Sequence, residues 1–330
     1  MRRSSLLVLL FFLVTVGLPA DAEQGAEKVL DSIVRISSTI PETARSAATL
    51  GTKREGNGVV IDSRGHILTI GYLILEAETT KIVAKDGRSV QAIAVGYDHN
   101  TGFGLLRATK PLRVPPMLLG HSSELRAGAP VLVASYGGPD AVQGARVVAR
   151  REFVGSWEYL LENAIFTVPP HAEFGGAALI GRQGRLVGIG SLYSPMEIPA
   201  LGLVPANMFV PIDLLKPILS DLIVSGRSRE PARPWLGVRV EAVHGRLFVQ
   251  RTSSGGPAEK AGIKTGDLIL SVNAKTVNGL ADFYRMVWAL GKAGVDVPLS
   301  VLQGNRIRQI IIRSADRYQH MRPNPKRDGS

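Results

Sequence analysis

Cysteine is absent from the 330-residue chain, which removes disulfides, thiolate metal sites and cysteine nucleophiles from consideration. Aromatic residues are scarce at 6%, and no pair of histidines has the H-x-x-x-H spacing of a metal-binding helix. No cofactor motif and no metal site are expected. The formal charge of +11 raises the question of nucleic acid. The basic residues are scattered, however, apart from Arg317, Arg322, Lys326 and Arg327 near the end, and no aromatic-interleaved basic stripe is present. A solvated basic surface is the reading adopted, with no nucleic-acid partner. A single apolar stretch, residues 6–18, approaches membrane length, and it is too short for a comfortable span. Arg2 and Arg3 precede it and Ala20-Asp21-Ala22 follows, which predicts a secretory signal cleaved after Ala22. Secretion across an inner membrane into a periplasm is therefore expected, and a cysteine-free chain suits that compartment without proving it.

What the chain has in abundance is glycine, 36 residues, between short apolar runs that make up much of its 45% hydrophobic content. That pattern predicts a mainly β fold. Residues 171–191 organise it. A tight turn at Phe174-Gly175-Gly176-Ala177 leads into an apolar run, a second turn at Gly181-Arg182-Gln183-Gly184, and another apolar run. A similar hairpin is predicted at residues 56–69, turning at Asp62-Ser63-Arg64-Gly65, and strands are expected within 81–95, 129–136, 145–153 and 164–168. Residues 37–55 read as a polar loop. A helix is predicted over 213–224, and 225–234 (SGRSREPARP) reads as a linker.

Residues 171–191 resemble the nucleophile hairpin of trypsin-like serine proteases of the HtrA/Deg family, in which GNSGGP precedes a strand, a glycine turn and a VIGI-like strand. Residues 56–74 resemble the family's GSGVIID-x-x-G-x-ILTNNHVV segment. Residues 96–106 match G-x-D-x-x-TDLALL, and Asn207-Met208-Phe209-Val210-Pro211-Ile212-Asp213 resembles GFAVPID. Trp235-Leu236-Gly237-Val238 and the segment 255–273, GGPAEKAGIKTGDLIL followed by Ser271-Val272-Asn273, resemble a PDZ domain. The resemblance implies two antiparallel trypsin-type barrels followed by an α+β PDZ domain. The expected division is signal 1–22, double barrel 23–224, linker 225–234, PDZ domain 235–316 and a basic disordered tail 317–330.

At the family's histidine, aspartate and serine positions stand Tyr72, Gly102 and Phe174, and Ala172 replaces a glycine of the oxyanion hole. Acyl transfer by this route needs a hydroxyl, a proton acceptor and an orienting carboxylate. Phenylalanine has no nucleophilic atom, glycine has no side chain, and tyrosine holds its proton near neutral pH. Oxyanion hole and binding alone leave roughly 10³–10⁴ over the uncatalysed rate, negligible for a peptide bond. No acid–His–Ser set is evident elsewhere, and His99 and His171 read as polar loop residues.

The resemblance implies for the PDZ domain that backbone amides of the loop Trp235, Leu236, Gly237 and Val238 receive a peptide's terminal carboxylate. In the helix predicted over 279–291, Phe283, Met286, Val287 and Leu290 form a core stripe. Tyr284 and Trp288, four apart on another face, either line the groove or pack on the neighbouring barrel. The expected partners are polypeptide segments or C-termini of envelope proteins, an active HtrA-type relative, and further copies of the chain. The expected role is that of an inactive adaptor, chaperone-like or regulatory factor in envelope protein quality control. The rival reading is an active serine endopeptidase with a rearranged site.

Overall fold

The structure, a computed structural model, describes residues 29–198 and 202–321. The signal-peptide expectation and residues 322–330 of the tail lie outside the described residues. Among the described residues, twenty strands form two closed barrels, a small hairpin and a PDZ sheet.

The first barrel is built from β1 (Ile33–Thr39), β2 (Lys53–Val60), β3 (His66–Ile70), β4 (Thr79–Val83), β5 (Ser89–Tyr97) and β6 (Phe103–Ala108), in the order β1-β2-β3-β6-β5-β4. Closure leaves no unpaired edge. The turn between β2 and β3 is set by its side chains. Asp62 Oδ1 accepts from the amides of Arg64 and His66 at 3.0 and 3.1 Å, and Gly65 supplies the left-handed residue at φ +76°. The loop expected over 37–55 is strand only at its two ends, where β1 and β2 stay in register to Thr39↔Lys53, and between them it is turns and a short helix, Ala47–Leu50. The buried Arg54 ties this connection down, its guanidinium donating to the carbonyls of Gly51, Tyr72 and Leu75 and to Ser46 Oγ.

The second barrel comprises β7 (Pro130–Ala134), β8 (Val142–Gly155), β9 (Tyr159–Val168), β10 (Ala178–Ile180), β11 (Leu186–Tyr193) and β14 (Asn207–Pro211), ordered β10-β11-β14-β9-β8-β7. β12 (Met196–Ile198) and β13 (Gly202–Val204) form a separate ribbon. Strands β8 and β9 run well past the expected 145–153 and 164–168, pairing out to Val154↔Leu160 and Gly155↔Tyr159. The helix expected over 213–224 begins only at Leu219 and ends at Ser225. Pro217 accounts for the shorter helix: it lacks an N–H and disfavours helical backbone at Lys216, so Ile212–Leu214 forms a separate 3₁₀ turn.

The PDZ sheet consists of β15 (Val238–Val243), β16 (Arg246–Thr252), β17 (Leu268–Val272), β19 (Asp296–Gln303) and β20 (Arg306–Arg313), with β18 (Lys275–Thr276) on β17. The helix Leu280–Trp288 covers it, burying Phe283, Tyr284 and Val287. Its core does not end at the domain boundary. Leu160 of β9 is buried in the same cluster as Leu236, Val240 and Phe283, and Val154 of β8 packs against it.

The tail expected to be disordered from residue 317 instead forms a helical turn, Arg317–His320, capped by Asp316 Oδ1 accepting from the Tyr318 amide. Tyr318 OH donates to Asp98 Oδ1 at 3.1 Å and accepts from the His99 amide at 3.1 Å. The His320 ring packs 4.4 Å from Trp235. Polar composition concealed this turn because its partners lie more than two hundred positions away in the first barrel.

Candidate functional site

The hairpin at 171–191 folds as a tight loop against the first barrel. Asn57 fixes it: its amide donates to Gly175 O at 2.8 Å, and its side chain donates to Glu173 O at 2.9 Å. Gly176 has φ +73°, and a Cβ there would fall 1.9 Å from Asn57 O. The amides of Ala172 and Phe174 make no internal hydrogen bond among the described residues.

Tyr72 and Gly102 line one cavity, and Tyr72 lies beside the turn that carries Phe174. Tyr72 lies in the 3₁₀ turn Gly71–Leu73, and its hydroxyl donates to Ser191 O at 3.0 Å. Burial pushes that hydroxyl well above its ordinary pKa, so it holds its proton and acts as a donor. A Cβ on Gly175 would sit 3.0 Å from the same hydroxyl, which places Tyr72 directly beside the turn that carries Phe174. Gly102 has φ +84°, a conformation that side-chain-bearing residues rarely adopt, and its carbonyl accepts from Gly71 N at 2.7 Å. Phe174 is half-buried. A cavity of about 340 Å³ lies over Tyr72 and Gly102, walled also by Leu50, Leu192, Trp157 and Tyr159.

Neither histidine weighed as a substitute base completes a triad. His99 is buried between the rings of Tyr97 and Tyr318, each 4.4 Å away, and its ring nitrogens have no hydrogen-bond partner among the described residues. Burial, helped by Arg317, pushes its pKa well below the ordinary value. His171 lies against Ser135, with Nε2 and Oγ 3.0 Å apart, a pairing that the loop reading did not anticipate. Ser135 is only 3% exposed, and no carboxylate bonds the His171 ring among the described residues. Both residues stand in short polar segments, so a long-range Ser–His contact left no local signal.

The PDZ loop has its own occupant. Gly237 has φ +75°, which lets successive amides converge. They converge on the side chain of Glu158, at the tip between β8 and β9. Leu236 N donates to Oε2 at 2.8 Å, and Gly237 N and Val238 N donate to Oε1 at 2.8 and 3.0 Å. Burial pushes the Glu158 carboxyl up, while the three amides and nearby Arg317 act the other way. Tyr284 packs on the neighbouring barrel: it is buried, with its hydroxyl donating to Gly155 O at 2.9 Å and accepting from Glu158 N at 3.1 Å. Trp288 stacks on Tyr284 at 5.6 Å, with the Arg233 guanidinium 4.4 Å from its ring centroid. Trp235, Leu236 and Val238 are buried rather than open to solvent, and Glu158, which fills the loop, was not among the residues the sequence pointed to.

Two six-stranded barrels with a cleft between them, followed by a sheet that presents a convergent-amide loop, define a trypsin-like double-barrel protein with a PDZ domain. Family models agree: a trypsin-like peptidase domain matches residues 56–189 and a PDZ domain matches 234–313. The periplasmic pH-dependent serine endoprotease DegQ of Escherichia coli is 27% identical over 269 residues, covering 78% of this chain and 58% of DegQ. A probable periplasmic serine endoprotease DegP-like of Pseudomonas putida (strain W619) is 26% identical over 273 residues, covering 78% of this chain and 55% of that protein. The chain thus spans somewhat over half the length of these relatives. In fold it is similar to the serine endoprotease from Yersinia pestis, with a TM-score of 0.53 at 24% identity over 91% of this chain and 99% of that one. It is also similar to the HtrA-type protease AlgW with tripeptide, with a TM-score of 0.52 at 21% identity over 94% of this chain and 99% of that one. The chain thus carries a trypsin-like peptidase domain and a PDZ domain and is similar over most of its length to HtrA/DegP-type serine endoproteases.

Proposed function

We propose that this is a periplasmic, catalytically inactive HtrA/DegP-type protein. It binds peptides or protein C-termini through its PDZ domain and serves as an adaptor, chaperone-like or regulatory factor in envelope protein quality control. The domain division at 224 and 235 and the cleavage after Ala22 belong to the same reading. The observation that carries it is the trio Tyr72, Gly102 and Phe174. The hydroxyl at the base position is a buried donor committed to Ser191 O, and no nucleophile stands on the turn. Periplasmic placement rests on the relatives, which are described as periplasmic serine endoproteases, and on the signal-like residues 1–22.

The reading is tested by incubating the mature chain with casein beside an active relative. No cleavage above the protein-free control is expected, and turnover that survives repurification would refute it. A second reading, an active serine endopeptidase, has one observation behind it, the Ser135–His171 contact. It predicts casein cleavage abolished by Ser135→Ala. The inactive reading predicts that this variant and the parent are equally silent, because Ser135 is buried and His171 has no orienting carboxylate among the described residues.

A further inference from the structure

The tip of the β8–β9 hairpin has a residue in the wrong conformation for its type. Ser156, Trp157 and Glu158 form a three-residue loop between Gly155 and Tyr159. Such loops place their last residue in the left-handed region and favour glycine there. Here that residue is Glu158, at φ 57°. A left-handed conformation is unfavourable for a side-chain-bearing residue. An ionisable side chain held there while only 7% exposed, with no salt bridge among the described residues, needs compensation. The compensation is visible in three amide donors from Leu236, Gly237 and Val238.

The contact extends beyond the carboxylate. Val240 N, on β15, donates to Ser156 O at 2.9 Å, so the tip runs beside that strand and adds to the sheet edge through its main chain. Arg239 Nε donates to Ser156 Oγ at 2.9 Å. From the groove helix, Tyr284 OH bridges Gly155 O and Glu158 N. Arg285 of the same helix pairs with Glu152 on β8. Leu160 fills an apolar position in the PDZ core. A carboxylate in converging amides, a main-chain bond to the edge strand and a flanking helix are the elements of peptide capture by strand addition. All are supplied from within one chain.

We propose that Ser156, Trp157 and Glu158 are a built-in ligand of the PDZ groove, the Glu158 side chain standing in for a terminal carboxylate, and that an incoming C-terminus binds only by displacing them. The proposal rests on the reading of residues 235–238 as a carboxylate loop. It adds that the groove is closed until a competitor arrives, which lowers apparent affinity by the fraction of open groove. Displacement also reaches the old cleft. Trp157 and Tyr159, stacked at 5.8 Å, wall the cavity over Tyr72 and Gly102, so a peptide at the PDZ loop alters the cleft wall.

Glu158→Gly separates the ligand from the fold, since it removes the carboxylate and places at φ 57° the residue that conformation favours. Glu158→Gln is a second variant that keeps the side chain's size. Two measurements on the full mature chain suffice. The first is hydrogen exchange of the Leu236, Gly237 and Val238 amides. The proposal expects them protected in the parent and exchanging at least tenfold faster in Glu158→Gly, with Glu158→Gln between. Equal exchange in all three would overturn it. The second is titration with the hexapeptide Phe-Val-Gly-Ser-Trp-Val, as free acid and as C-terminal amide. The free acid should bind Glu158→Gly at least tenfold more tightly than the parent, with the amide weak toward both. Equal free-acid affinity for parent and variant would overturn the built-in ligand. If neither form binds any variant while the loop amides lose protection, self-occupancy stands and the peptide-binding function fails.

Discussion

The cleft beside Tyr72 and the PDZ loop differ in what their backbone holds. In the cleft, Gly176 turns at positive φ and Asn57 clamps the loop. On the proposed reading, the side chains that would act on a substrate there are replaced. In the PDZ loop every donor is present and engaged, and the occupant is the protein's own Glu158. A backbone scaffold therefore says little about activity without its side chains. An apparently complete binding loop says little about availability without knowledge of what fills it. This is the sense in which function resides in sites rather than folds.

The comparison can be broken at the frame first. Gly176→Ala should be the most damaging change, since its Cβ would meet a carbonyl oxygen at 1.9 Å on backbone of φ +73°. A loss of about 3 kcal/mol or more is expected in denaturant unfolding, the size typical of a steric or strain fault in a packed interior. Near parent stability would mean that the turn is not clamped as described. Next is Arg54→Met. It leaves the carbonyls of Tyr72 and Leu75 without their charged donor. A loss of about 2–3 kcal/mol should follow, read as a fall in melting temperature.

Attempts to rebuild the triad sharpen the contrast. Phe174→Ser alone should show no casein hydrolysis. Tyr72→His with Gly102→Asp and Phe174→Ser should also remain silent, because aspartate at φ +84° is strained even though a Cβ there meets only ordinary contacts, the nearest at 3.4 Å. Cleavage by the single variant would reveal a base that the geometry does not show.

The smallest effect concerns Asp213, which follows the GFAVPID-like strand. Burial pushes its carboxyl up, but Lys216, the Ser123 amide and the neighbouring hydroxyls push it further down, well below the ordinary range. A depressed carboxyl contributes stability that is present above its unfolded pKa and is lost as pH falls. The parent should therefore lose slightly more melting temperature than Asp213→Asn between about pH 5 and about pH 2. Parallel curves would remove that contribution.

Much of this was legible because glycine turns and apolar alternation are local. The turn at 62–65, the loop at 174–177 and the PDZ segment 255–273 announce themselves within a dozen residues. The same is true of Tyr72, Gly102 and Phe174, which follow from aligned motifs. What escaped depends on partners far along the chain. Nothing near Glu158 marks it as a ligand, because its amide donors lie about eighty positions on. The anchoring of the 40–52 connection depends on a buried arginine, and the turn at 317–320 depends on Asp98 and His99. Pro217 was a local signal, and it shortened the helix as proline should.

The central claim is that no activated serine remains beside a free oxyanion site. Intact-mass measurement after exposure to a fluorophosphonate tests it directly, since the reagent adds only to a nucleophile of that kind. The account predicts the unmodified mass of the mature chain under conditions in which an active relative is fully labelled. A stoichiometric adduct on one serine, lost when that serine is replaced by alanine, would contradict it.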